Sequence, residues 1–324
     1  MTKNHKIVIE FENNRILPVV FGHHNDNIIY IEQELNTTIN NRGGTLYISG
    51  HKDDVTKTRT VVDFLYNKAI ENNDLKKSDV ETAIRFCLEQ KNLPDDCNSS
   101  SIVTPKKTIS SRSPKQVEYI NNMQKNTLSF GIGPAGTGKT YLAVAQGISM
   151  LSSGLVDKII ITRPVVEAGE NLGFLPGDLK EKVDPYLRPI YDAFYDCMDG
   201  EIVNRKLENN DIEIAPLAYM RGRTLKNAFV ILDEAQNTTT MQMKMFLTRL
   251  GQNTKMVITG DISQVDLEKN VDSGLVQAMN ILSGIDDISI SLFTSKDVVR
   301  HKLVGEIVKA YEHKEKKSSN KNGK

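Results

Sequence analysis

Gly133 to Thr140 reads Gly-Pro-Ala-Gly-Thr-Gly-Lys-Thr and matches the GxxxxGK[ST] pattern, whose chemistry is the cradling of phosphate oxygens. Gly133, Pro134, Ala135, Gly136, Thr137 and Gly138 form a compact loop whose backbone N–H groups can converge on phosphate at the positive end of a following helix. Lys139 adds a formal charge for the β- and γ-phosphates, and the Thr140 hydroxyl is a ligand for Mg²⁺. The pattern therefore predicts a nucleoside triphosphate with Mg²⁺. Downstream, Phe229-Val-Ile-Leu-Asp233-Glu234 ends an apolar run on two acids. Asp233 is placed to hold Mg²⁺ through water, and Glu234 to orient and deprotonate an attacking water. Alone, two acids after a strand also simply suit the positive end of a helix. Thr259-Gly-Asp-Ile-Ser-Gln264 ends a third apolar run, and the Gln264 amide is expected to sense the γ-phosphate. Gln116 precedes the loop and is expected to read the adenine edge. Phosphoryl transfer also calls for a guanidinium on the developing charge. Arg163, Arg221, Arg223 and Arg300 are the candidates, spacing does not choose among them, and Arg300 can act on a neighbouring subunit's site.

For these residues to meet, the loop must join a strand to a helix and the acids must end neighbouring strands. Leu128–Ile132 reads as that strand and Tyr141–Ile148 as that helix, with further buried parallel strands at Lys158–Thr162, Ala228–Leu232, Met256–Thr259 and Ile288–Leu292. Residues 6 to about 92 read as a small α+β unit. It has strands at Ile7–Ile9, Ile16–Phe21, Thr37–Asn41 and Thr45–Ser49, and helices from Asp26, Asp53 and Ser78. Residues 101–113 have linker composition, which divides the chain into a domain at 1–100, a second at 114–312 and a basic tail at 313–324.

Lys+Arg and Asp+Glu both number 41, so no global field advertises a polyanion. The tail carries five lysines against Glu315, a run most simply read as solvated. Three cysteines without metal-ligand spacing argue against a disulfide framework or a zinc site. No signal-peptide core and no long apolar window is visible, so the expectation is a soluble cytoplasmic protein without membrane contact.

Thr162-Arg-Pro-Val-Val-Glu-Ala-Gly-Glu-Asn-Leu-Gly-Phe-Leu-Pro-Gly-Asp178, with Asp184-Pro-Tyr-Leu-Arg-Pro, Met220-Arg-Gly-Arg-Thr224, Asp233-Glu-Ala-Gln and Thr259-Gly-Asp261, resembles the PhoH-like ATPases. The resemblance spans about 113 to 312 and implies an α/β fold: a P-loop NTPase with a RecA-like parallel sheet, similar to one motor domain of superfamily 1 helicases. It implies ATP hydrolysis in RNA metabolism, on single-stranded RNA. It also implies a partner, a metal-dependent endoribonuclease of ribosomal RNA processing. One core cannot grip and step alone, so unwinding would need a homo-oligomeric ring or a partner. A nucleotide-gated RNA- or nuclease-binding module without motor activity is the alternative. The N-terminal unit resembles a KH-like RNA-binding module in its order of elements. The usual GxxG loop is not evident, because Phe21-Gly22-His23-His24-Asn25-Asp26 has one glycine and an acid.

Overall fold

The computed structural model describes residues 5–72, 74–88, 101–164, 179–267 and 271–299. The chain divides into two compact units, Met1–Ser100 with Ser111–Pro114, and Ser101–Ser110 with Lys115–Lys324.

In the first unit, strands β1 (His5–Glu10), β2 (Thr37–Arg42) and β3 (Thr45–Gly50) form an antiparallel sheet in the order β1-β3-β2. Leu46 and Ile48 alternate with exposed Tyr47 along β3, so one face is buried and one solvated. Helices α1 (Leu17–Phe21), α2 (Asp26–Leu35), α3 (Lys52–Asn72) and α4 (Lys77–Leu88) complete the unit. Ile31, Leu35, Leu46, Ile48 and Leu65 are fully buried in one core. Each such side chain contributes roughly 1.5–3 kcal/mol of transfer free energy.

Ile16–Phe21, expected to be a strand, is helical. Pro18 suits a first helical turn, where its missing N–H costs nothing, and Leu17, Val20 and Phe21 bury one helical face. The turn into α2 has positive φ at Gly22, His24 and Asn25.

The second unit holds six parallel strands in the order β11-β6-β10-β9-β7-β8. They are β6 (Leu128–Ile132), β7 (Lys158–Arg163), β8 (Ile212–Pro216), β9 (Ala228–Leu232), β10 (Lys255–Gly260) and β11 (Ile288–Leu292). Successive residues serve opposite faces, so Phe229 and Ile231 enter one core while Val230 and Leu232 enter the other. The first core is closed by α5 (Pro114–Lys125), α6 (Lys139–Ser152), α7 (Leu179–Cys197) and α8 (Gly200–Glu208). The second is closed by α9 (Thr240–Leu247) and α10 (Gly274–Leu282). This is a P-loop NTPase core of RecA-like order, with β10 between the phosphate-loop strand β6 and the acid-bearing strand β9.

Two features differ from expectation. Strand β8 lies at the sheet edge and is only partly buried, so it lacks the continuous apolar run that marks its neighbours. Residues 101–110, expected to be linker, pair as a hairpin, β4 (Ser101–Val103) with β5 (Thr108–Ser110), and bury Ile102 and Ile109 in the first core. The hairpin is tied to the end of α7, where the Lys106 N–H donates to the Cys197 carbonyl at 3.1 Å and Lys107 pairs with Asp196. None of the described helices is long and apolar enough to cross a membrane.

Candidate active site

Because the six strands run parallel, their C-terminal ends share one edge, the position at which open α/β sheets bind ligands. The Gly133–Thr140 loop leaves β6 there and is moored on three sides. The Gly133 N–H donates to the Gly260 carbonyl (3.0 Å), the Phe293 N–H to the Ile132 carbonyl (2.7 Å) and the Val299 N–H to the Gly136 carbonyl (2.9 Å). Gly133, Gly136 and Gly138 all have positive φ, at 150°, 83° and 84°. A side chain at Gly133 would set its Cβ 2.5 Å from the Phe293 carbonyl oxygen, so the first position admits glycine alone.

Lys139 opens α6 and folds over the loop. Its Nζ donates to the carbonyls of Gly133 (2.6 Å) and Pro134 (2.8 Å) and approaches the Thr137 hydroxyl at 3.3 Å. Those acceptors hold the ammonium inside the loop, where phosphate oxygens would compete for it. The side-chain amide of Gln116, the expected adenine reader, is buried and donates to the Thr137 carbonyl at 3.0 Å, which braces the loop.

Thr140 and Asp233, 93 residues apart in the chain, meet directly: the Thr140 hydroxyl donates to Asp233 Oδ1 at 2.7 Å. The same oxygen accepts from the Thr259 hydroxyl at 2.6 Å, and the Asp233 N–H donates to the Thr162 carbonyl at 2.9 Å. Asp233 is thus buried at the end of β9 with its carboxylate oriented from β10 and α6. Among the described residues no three His, Cys, Asp or Glu side chains cluster as a metal site. One carboxylate and one hydroxyl beside a phosphate loop suit Mg²⁺, which takes few protein ligands and completes its shell with phosphate and water. The residues therefore fit a nucleoside triphosphate with Mg²⁺. Beneath the loop, Tyr119 is fully buried, and burial, then the nearby Asp233 charge, push its phenol well above its usual range.

Glu234 takes a left-handed conformation, φ 52° and ψ 40°, unusual for a non-glycine residue. Both carboxylate oxygens are engaged: Oε1 lies 3.4 Å from the Arg163 guanidinium, and Oε2 accepts from the Gln236 amide at 2.6 Å. Backbone strain of this kind persists where the surroundings over-determine it, and it concentrates at functional sites.

Gln264 lies at the same edge, but its amide nitrogen donates to Asp261 Oδ2 at 2.7 Å, and Asp261 Oδ1 is taken by the Ser263 N–H and hydroxyl. The arginines separate. Arg163 faces Glu234, Arg223 is bound bidentately by Glu213 at 2.5 and 2.7 Å, and Arg221 is exposed. Arg300 and residues 165–178 of the long family-like segment lie outside the described residues. Thr259 and Gln236 sit at the centre of the site; both fall inside the Thr259-Gly-Asp261 and Asp233-Glu-Ala-Gln runs, but the sequence assigns neither a role of its own.

A protein-family model described as PhoH-like protein matches residues 108–312. A PhoH-like protein of Bacillus subtilis (strain 168) is 49% identical over 296 residues, covering 90% of this chain and 93% of its own length. A PhoH-like protein of Synechocystis sp. is 42% identical over 300 residues, 92% of both chains. Protein PhoH of Escherichia coli (strain K12) is 45% identical over 205 residues, 63% of this chain and 58% of its own. Among solved structures, the Sulfolobus solfataricus SWI2/SNF2 ATPase core in complex with dsDNA aligns at a TM-score of 0.29 and 16% identity, over 45% of this chain and 31% of that one, too slight a likeness to argue from.

Proposed function

The chain belongs to the PhoH-like protein family, and from that premise we propose that it binds ATP with Mg²⁺ at the Gly133–Thr140 loop, hydrolyses it, and couples turnover to the remodelling of single-stranded RNA. The observation that carries this reading is the direct contact of Thr140 with Asp233 beside Lys139, since metal ligand, carboxylate and phosphate-binding cation then share one strand edge. Backbone N–H groups of the loop and Lys139 bind the phosphates; Thr140 and Asp233 would hold Mg²⁺, which would supply neutralisation of the phosphates' negative charge. Glu234 accepts the proton of the attacking water and orients it. Thr259 keeps the Asp233 carboxylate turned toward Thr140. Gln264 reports on the γ-phosphate after exchanging its Asp261 bond, and Gln116 supports the loop beside the base. Of the arginines, Arg163 is nearest the chemistry by its contact with Glu234, and Arg300 would act across subunits.

The RNA half of the proposal draws on the family and on the β-α-α-β-β-α order of the first five elements and α3, which resembles a KH-like module. A ring of copies, or an endoribonuclease partner, would supply the second grip that one core lacks. Phosphate release from Mg²⁺·ATP, measured with and without single-stranded RNA across protein concentrations, tests all three parts. Acceleration by RNA supports the motor, RNA-insensitive turnover favours a nucleotide gate, and a dependence on protein concentration reports assembly. No release under any condition would overturn the proposal.

A further inference from the structure

The Glu234 carboxylate is held by a side chain that no catalytic role yet uses. Gln236 is almost fully buried. Its amide nitrogen donates to Glu234 Oε2 at 2.6 Å and its amide oxygen accepts the Asp261 N–H at 3.0 Å. An Asn side chain is one methylene shorter, and an apolar side chain offers neither group. The main chain at Gln236 is fixed as well, because its carbonyl accepts the Ser273 hydroxyl at 2.8 Å. Gly260 permits the approach, since a Cβ there would lie 3.0 Å from the Gln236 amide oxygen.

The far end of this bridge is the turn that also moors the phosphate loop. The Gly260 carbonyl accepts the Gly133 N–H at 3.0 Å, and the next residue, Asp261, gives its N–H to Gln236. Beyond it the Asp266 N–H donates to the Asn237 side chain at 2.9 Å, a second tie between the same two strand-end segments. One amide therefore connects the carboxylate to the backbone on which the loop rests.

We propose that Gln236 is the positioning residue of the site: it orients the Glu234 carboxylate for water activation and ties that orientation to the Gly260–Asp261 turn that holds the phosphate loop. The inference rests on the ATP-hydrolysis reading. Gln236 is buried and spends its amide on Glu234 and Asp261, so its removal is expected to leave nucleotide binding intact and to lower the chemical step. A misoriented base in an otherwise assembled site costs on the order of 10-fold to 10²-fold in rate.

The test is a double-mutant cycle on the full chain, with Gln236→Met and Glu234→Gln singly and together. Kcat for ATP, equilibrium ATP binding and the thermal transition are read for each. Gln236→Met has a similar length and volume; Gln236→Leu serves as a second replacement if the first does not fold. The expected result is a kcat at least about 10-fold lower for Gln236→Met, ATP affinity within about twofold of the parent, and less than about twofold further loss in the Glu234→Gln background, because two residues acting through one group are not additive. An unchanged kcat in Gln236→Met, or an equal loss with and without Glu234, overturns the positioning role and leaves hydrolysis standing. A parent protein that releases no phosphate overturns the hydrolysis reading itself, which distinguishes the two failures.

Discussion

Among the described residues, two turns bring positive-φ backbone into the start of an α-helix, and they differ in what surrounds them. Gly133–Thr140 leads into α6 and meets Lys139, Thr140, the buried Asp233 of β9 and the backbone of β10. Gly22–Asn25 leads into α2 and meets Asp26, an acid in the first helical turn, with exposed His23 and His24 beside it. Only the first draws in a lysine from the chain itself and a carboxylate from another strand. Left-handed backbone is thus a permissive feature, and chemistry comes from the side chains that a parallel sheet delivers to one edge.

The two units also have separate cores. Leu46 is fully buried within the first unit, whereas Phe229 and Ile231 belong to the second. Leu46→Ala is expected to destabilise the first unit by roughly 2–5 kcal/mol. Calorimetry should show one transition lowered, with the other and the basal ATP turnover unchanged. A common shift of all transitions would mean that the two turns do not belong to independently stable units.

Chemistry should break only at the sheet edge. Glu234→Gln is expected to bind ATP normally and to release phosphate at least ~10²-fold more slowly, the loss typical of a general base. A rate within twofold of the parent would remove Glu234 from the mechanism. Gly22 has φ 75° and ψ 177°, and a Cβ there would fall 2.8 Å from the Asn27 side chain. Gly22→Ala should therefore cost roughly 1–3 kcal/mol in the first unit's transition while basal turnover stays within about twofold. Lost turnover without a melting shift would give this turn a part in the ATP cycle that its surroundings do not support.

The fold's second half was largely legible because its chemistry demands fixed residue types at strand ends. Glycines and a lysine after β6, acids after β9 and a Gly-Asp pair after β10 marked three neighbouring strands of the sheet. β8 escaped because Glu213 interrupts its short run and Pro216 ends it, leaving only Ile212, Ile214 and Ala215 as apolar residues. α1 was misread because five apolar residues suit either element, and the Pro18 start signal outweighs them only in context. The hairpin at 101–110 was hidden by basic, proline-bearing composition, since only Ile102 and Ile109 are buried. Gln236 and Thr259 were illegible for another reason. A hydrogen bond spanning 25 or 26 residues leaves no local pattern, and it exists only once β9 and β10 lie side by side.

If the loop after β6 and the acids after β9 form one ATP-hydrolysing site, phosphate release from Mg²⁺·ATP, measured for the parent and for Lys139→Ala under identical conditions, should show turnover by the parent and none above background by the variant, with matching thermal transitions. Equal release by the two folded proteins would contradict it.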